Sequence, residues 1–176
     1  MNKTDIRQEI RRRKAACPAQ QKTALSHTVI NLLQALPQWQ RAKTVLLYHS
    51  LPDEVCTHDL VLHAHQTGKQ VLLPVVVGDN LELREYQNEG RLSEGSFHIL
   101  EPKGEAFTDF EAITLAVIPG VAFTKKGQRL GRGKGYYDRL MPSLHCPKWG
   151  VAFGCQLVKE IPTDEWDQPL DKVFSN

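Results

Sequence analysis

Apolar positions along the chain follow two spacings, one helical and one of short continuous runs. Ile6 and Ile10 lie one turn apart among basic residues, which predicts an amphipathic helix over residues 5–15. Pro18 stands where a first helical turn tolerates proline, and Leu25, Val29, Leu32, Leu33 and Leu36 form a helical stripe ending before Pro37. Thr44-Val45-Leu46-Leu47-Tyr48 is a continuous apolar run of the kind buried on both faces of a sheet. Ser50 to Glu54 reads as a loop, Leu60 to His65 as a helix stopped by Gly68, and Val71 to Val77 as a second buried strand. A turn at Gly78-Asp79-Asn80 leads into Leu81 to Tyr86, which alternates like a half-exposed strand. Residues 87–111 are polar and rich in Glu, Gly and Pro, the composition of a surface connection. Ile113 to Ile118 is a third buried strand ended by Pro119-Gly120; Tyr136 to Leu140 opens a helix, and Trp149 to Phe153 is a late strand.

Alternating helices and buried strands predict an α/β fold with a mostly parallel sheet. The 176 residues suit one domain, and no repeat or low-complexity linker divides residues 1–176. With 41% hydrophobic and 24% charged residues, composition excludes a disordered chain. No apolar run approaches the ~18–20 residues of a membrane helix. Met1 to Asp5 leads into charge and not into a leader segment, so a cytoplasmic protein with no membrane partner is expected. Cys17, Cys56, Cys146 and Cys155 are scattered and read as free thiols; His63 and His65, two apart, suit no zinc site.

The formal charge is only +2, but it is unevenly placed. Residues 3–14 hold six basic residues against two acidic ones, and residues 125–139 hold six against Asp138 alone. Two basic segments on an otherwise acidic body indicate a focused anion site. Ligands of parallel sheets bind beyond the strands' carboxyl ends, which singles out the loops after Tyr48 and after Ile118. In the second loop, glycines at 131, 133 and 135 let backbone N–H groups approach an anion. Arg129, Arg132 and Lys134 add charge, and a helix starting near Tyr136 would add its positive end. The spacing fits neither a Walker loop, since Gly135 follows Lys134, nor a Rossmann fingerprint. Tyr136 and Tyr137 can stack a flat ligand, and Asp138 can hold a metal ion.

Arg129-Leu130-Gly131-Arg132-Gly133-Lys134-Gly135-Tyr136-Tyr137-Asp138 resembles the signature of the 5-formyltetrahydrofolate cyclo-ligases, also called methenyltetrahydrofolate synthetases. Lys3 and Arg7, the stretch Tyr48 to Asp59 and the tail Ile161 to Asp171 extend the resemblance over nearly the whole chain. Thr124 departs from it, standing where many members carry an aspartate. The resemblance implies a three-layer α/β domain of the NagB/RpiA/CoA-transferase-like type. It implies cyclisation of 5-formyltetrahydrofolate to 5,10-methenyltetrahydrofolate, using ATP and Mg2+, by a monomer. It implies Glu54, Arg132 and Lys134 as catalytic groups, with Glu54 orienting the folate while Asp53 stays a solvated neighbour. It places ATP against Lys3, Arg7 and residues Arg129 to Tyr137. The substrate, a reduced folate with or without a polyglutamate tail, would meet His49, Glu54, Arg132, Gly133, Lys134, Gly135 and Tyr136. It assigns the metal to Asp138, with Asp167 or Asp171 as partner and Asp164 also open. Two other classes fit the residues alone. A nucleic-acid-binding module would use the basic segments with Tyr136 and Tyr137, and a phosphosugar or CoA enzyme would also want an anion nest.

Overall fold

The structure, a computed structural model, describes residues 1–176. Five α-helices precede or separate the strands: α1 (Lys3–Ala15), α2 (Ala19–Gln34), α3 (Pro37–Arg41), α4 (His58–Gln66) and α5 (Tyr136–Leu140). The first five strands are β1 (Thr44–Leu46), β2 (Gln70–Val77), β3 (Asn80–Glu85), β4 (Leu92–Glu94) and β5 (Leu100–Pro102). The rest are β6 (Leu115–Val117), β7 (Ala122–Phe123), β8 (Arg129–Leu130), β9 (Lys148–Ala152) and β10 (Lys172–Ser175).

Six strands form the central sheet in the order β10-β9-β6-β1-β2-β3, parallel except for β3. The sheet explains why its strands read as unbroken apolar runs. Val45, Val71, Leu115 and Trp149 face one core with Val29, Leu33 and Leu60 of α2 and α4. Their neighbours Leu46, Leu72, Ala116 and Ala152 face a second core with Phe123, Leu140, Met141 and Leu144. Both faces are covered, so no position is free to be polar. The result is the expected three-layer α/β domain. Each fully buried leucine is worth several kcal/mol: truncating Leu46 to Ala would cost roughly 2–5 kcal/mol.

α1 starts two residues earlier than its apolar spacing suggests because Asn2 caps it. The Asn2 side chain accepts from the N–H groups of Thr4 and Asp5, and Asp5 accepts from the Asn2 N–H. Ile6 and Ile10 then pack on Ala122, Leu130 and Ile161, which lays α1 against the β7–β8 hairpin.

Several expectations differ from the structure. The buried face of α2 is Ser26, Val29, Ile30 and Leu33, whereas Leu32 is 48% exposed. Positions 26, 29, 30 and 33 share one side of a 3.6-residue helix; Leu32 does not. α3 and β10 have no counterpart in the sequence reading, being too short for a periodic signal. The polar segment 87–111 is a surface connection for most of its length, but it also folds into the β4–β5 hairpin. All four cysteines are free, as expected. No helix is long and apolar enough to cross a membrane.

Candidate active site

A cavity of about 280 Å³ opens beyond the carboxyl ends of β1 and β6, where the two predicted loops meet. The loop after β1 is held rigidly. Thr57 Oγ donates to the Tyr48 carbonyl, Ser50 N donates to Thr57 Oγ at 3.1 Å, and Thr57 N donates to Ser50 Oγ at 2.9 Å. His58 Nε2 donates to the Ser50 carbonyl at 2.9 Å, and its ring stacks on His49 at 3.7 Å. Burial, helped by the facing His58, pulls the His49 imidazole down from 6.5 to about 4, so it lines the cavity uncharged at neutral pH. Glu54 is 10% exposed; its Oε2 accepts from Leu51 N at 2.9 Å and its Oε1 from Arg132 Nη2 at 2.8 Å. Burial and the Glu54 charge raise the hydroxyls of Tyr48 and Tyr137 above their ordinary range, keeping both as neutral donors.

The loop after β6 is threaded by one buried arginine. Arg129 Nη1 donates to the Pro119 carbonyl at 3.0 Å and Nη2 to Asp138 Oδ1 at 2.6 Å, while its buried Nε has no partner. Gly120 makes room for this: a Cβ there would lie 2.7 Å from Phe123 and 3.0 Å from Arg129. Gly133 and Gly135 take positive φ of 104° and 71°, the left-handed turns that the alternating glycines permit. Arg7 reaches over from α1, its Nε donating to the Gly131 carbonyl at 2.9 Å. The Lys134 ammonium is exposed and makes no ion pair or hydrogen bond.

The structure brings together His49, Glu54, Arg129, Gly131, Arg132, Lys134, Gly135, Tyr136, Tyr137 and Asp138 along this cavity. It corrects several expectations. Leu130 turns its side chain into the core with Ile6 and Ile10, and Gly133 is exposed beside Arg7, outside the lining. Lys3 faces the tail, pairing with Asp164 at 2.6 Å and Asp167 at 2.5 Å; these bonds outweigh its burial and raise the ammonium above its ordinary value. α5 is five residues long, too short to supply more than a fraction of a helix dipole. Asp53 keeps 46% of its side chain exposed, as a solvated neighbour would, but it is ion-paired and not free. Burial opposes its charge, but Lys14 and Arg132 together hold its carboxyl below the ordinary value. The proposed metal carboxylates do not converge, and no three His, Cys, Asp or Glu side chains cluster. Asp171 immediately precedes β10 and accepts from Lys148 N at 2.7 Å, at the amino end of parallel β9 and opposite to the cavity. Asp167 is occupied by Lys3. Asp138 alone of the three reaches the cavity, and its Oδ2 accepts no hydrogen bond.

Sequence reasoning missed the apolar wall opposite. Pro74 and Val76 of β2 and Leu81 of β3 form its base, and Phe97, Ile99 and Glu101 of the β4–β5 hairpin close it. Glu101 Oε1 accepts from Val76 N at 3.1 Å, anchoring the hairpin to β2. Phe97 is 53% exposed, and both it and His98 hold positive φ, at 61° and 58°. Two successive left-handed non-glycine residues are strained, and such strain concentrates at functional sites. The one signal in the sequence was the run Phe97-His98-Ile99-Leu100, a short apolar island in a polar stretch.

Along α1, Arg12 and Arg13 pair with Glu9, Lys14 is buried, and Arg7 serves the loop. One cavity therefore joins an apolar slot to a cluster of anion donors, the shape of a site for a flat ring beside a polyphosphate.

The sequence pattern of the 5-formyltetrahydrofolate cyclo-ligase family matches residues 1–176. The 5-formyltetrahydrofolate cyclo-ligase of Escherichia coli strain K12 is 32% identical over 174 residues, covering 94% of this chain and 96% of that protein. The mouse 5-formyltetrahydrofolate cyclo-ligase is 30% identical, covering 98% and 92%. The solution structure of Aquifex aeolicus 5,10-methenyltetrahydrofolate synthetase superposes with a TM-score of 0.88 at 34% identity, over 99% of this chain and 90% of that one. The Mycoplasma pneumoniae 5,10-methenyltetrahydrofolate synthetase gives 0.79 at 26% identity, over 98% of each. Sequence and fold agree, and the chain belongs to the 5-formyltetrahydrofolate cyclo-ligase family.

Proposed function

We propose that the cavity holds 5-formyltetrahydrofolate with its ring against Phe97, Ile99 and Leu81, and its formyl group toward Arg132 and Lys134. The γ-phosphate of ATP lies on the glycine-rich loop. The observation that carries this reading is the meeting of an apolar slot with an unpaired Lys134 and a part-engaged Arg132. The chain is a ligase of folate one-carbon metabolism.

The formyl oxygen is a poor leaving group, so it first attacks the γ-phosphorus, and the bond from that phosphorus to the β-phosphate oxygen breaks, releasing ADP. The neighbouring N10 then attacks the formyl carbon. Phosphate departs with the former formyl oxygen, N10 gives its proton to solvent, and the 5,10-methenyl product remains. Little covalent work falls to the protein, so positioning and charge decide the rate. Lys134 and Arg132 stabilise the charge on the transferring phosphoryl group. Tyr137 and Tyr48, kept protonated, donate from the wall beside Glu54. Glu54 holds Arg132 and accepts from the folate ring N–H groups. Arg7 and the backbone N–H groups of residues 131–135 complete the phosphate cradle.

Asp138 fits a magnesium ion of the kind held mainly by phosphates, which needs only one or two protein carboxylates. Arg129 occupies one oxygen of this cavity-lining residue and leaves the other without a hydrogen bond. Such an ion supplies charge neutralisation across the phosphates. The proposal places a monomer in the cytoplasm, acting on a folate with or without a polyglutamate tail. The test is the absorbance of methenyltetrahydrofolate with 5-formyltetrahydrofolate, ATP and magnesium together. It rises only when all three are present if the reading holds; a rise without ATP, or none with all three, refutes it.

A further inference from the structure

Arg132 stands between two glycines and is 50% exposed, a position that would leave a long side chain free to sample many rotamers. Ordering such a side chain costs conformational entropy. The structure shows it already held, and by one nitrogen only. Nη2 donates to Glu54 Oε1 at 2.8 Å and to Asp53 Oδ1 at 3.1 Å, while Nε and Nη1 have no protein partner. Asp53 is held in turn by Lys14, whose side chain is 7% exposed within α1 and whose ammonium has no other partner. A buried ammonium is costly without a partner and strongly destabilising if that partner is lost. Lys14, Asp53, Arg132 and Glu54 thus form a chain of alternating charge running from beneath α1 to the cavity.

We propose that Lys14 and Asp53 are positioning residues: the buried ammonium fixes the Asp53 carboxylate, and Asp53 fixes Arg132 with its Nε and Nη1 edge turned to the nucleotide phosphates. This rests on the reading of Arg132 as a phosphate donor. The charges explain why a lone acid would not do. Asp53 and Glu54 side by side would repel an arriving polyphosphate, whereas with Lys14 and Arg132 the four groups sum to zero. Anchoring through one nitrogen leaves Arg132 three N–H bonds for the ligand and no ordering entropy to lose when it binds. Neither Lys14 nor Asp53 lines the cavity, so neither needs to touch a ligand.

A double-mutant cycle on kcat/KM for ATP tests this, with Tm followed in parallel. Asp53→Ala alone is expected to lower kcat/KM for ATP about tenfold, the size of loss that loosened positioning brings, with little change in the KM for the folate. In an Arg132→Ala background the same substitution should then do nothing further. Additive losses would mean that Asp53 acts through packing and would overturn the proposal. Because Asp53→Ala strands the Lys14 charge, the pair Lys14→Met with Asp53→Ala provides a variant without a buried unpaired ion. It should regain Tm yet keep the tenfold loss; recovery of wild-type kcat/KM for ATP would also overturn the proposal. If Arg132→Ala itself leaves kcat/KM for ATP unchanged, the phosphate-donor reading fails and the positioning role falls with it.

Discussion

The glycine-rich loop and the β4–β5 hairpin face each other across one cavity, but only the loop declares its chemistry in residue types. In residues 129–138, glycines at alternate positions, three cations and an acid give a local pattern suited to an anion. In residues 92–102 nothing is unusual by composition, and the role of Phe97 arises only when Glu101 ties the hairpin to Val76 of β2. Polar chemistry needs particular atoms and so leaves a signature. An apolar wall needs only area, which any of several large side chains can supply once packing has brought them there.

The contrast can be broken by exchanging the consequences of the two walls. Lys134→Ala should produce the largest effect, a fall of ~10²–10³ in kcat at saturating ATP, the usual cost of one lost donor to developing charge. Stopped-flow absorbance at saturating substrates measures it, and near-normal turnover would make Lys134 a solvated loop charge. Phe97→Ala should act on the other substrate. It is expected to raise the KM for the folate about tenfold, the scale of one lost aromatic stacking contact, and leave the KM for ATP unchanged. A matched rise in both constants would mean that the hairpin merely supports the site.

The loop after β1 gives a smaller effect of a third kind. His49 is uncharged because burial and His58 lower its value from 6.5 to about 4. An unfolded chain takes up this proton near pH 6.5, whereas the folded chain refuses it until about pH 4. Its contribution to stability is therefore intact above that window and falls away as pH drops through it. His49→Asn should flatten the decline of Tm between pH 6.5 and pH 4 by this one proton's share. An unchanged slope would assign the acid sensitivity to other groups.

These regions also show where sequence reasoning reaches and where it stops. The four inner strands were legible because both faces of each are buried, leaving continuous apolar runs such as Val71 to Leu73. α3 and β10 were not, since five and four residues hold too few periods. Arg129 to Asp138 was legible as a site, but the pairing of Arg129 with Asp138 was not. The ion pair of Asp53 was hidden for the same reason. Its partner Lys14 lies thirty-nine residues away on another element, and no local pattern joins them. Asp171 was carried over from the family resemblance, whereas strand direction sets it at the far end of the sheet.

The central claim is that this cavity phosphorylates the formyl oxygen before the ring closes. 5-Formyltetrahydrofolate labelled with oxygen-18 in the formyl group, turned over once with ATP and magnesium, tests it directly by mass spectrometry of the released phosphate. The account predicts one labelled oxygen in each phosphate for every methenyltetrahydrofolate formed. Unlabelled phosphate, with the heavy oxygen recovered in water, would contradict it.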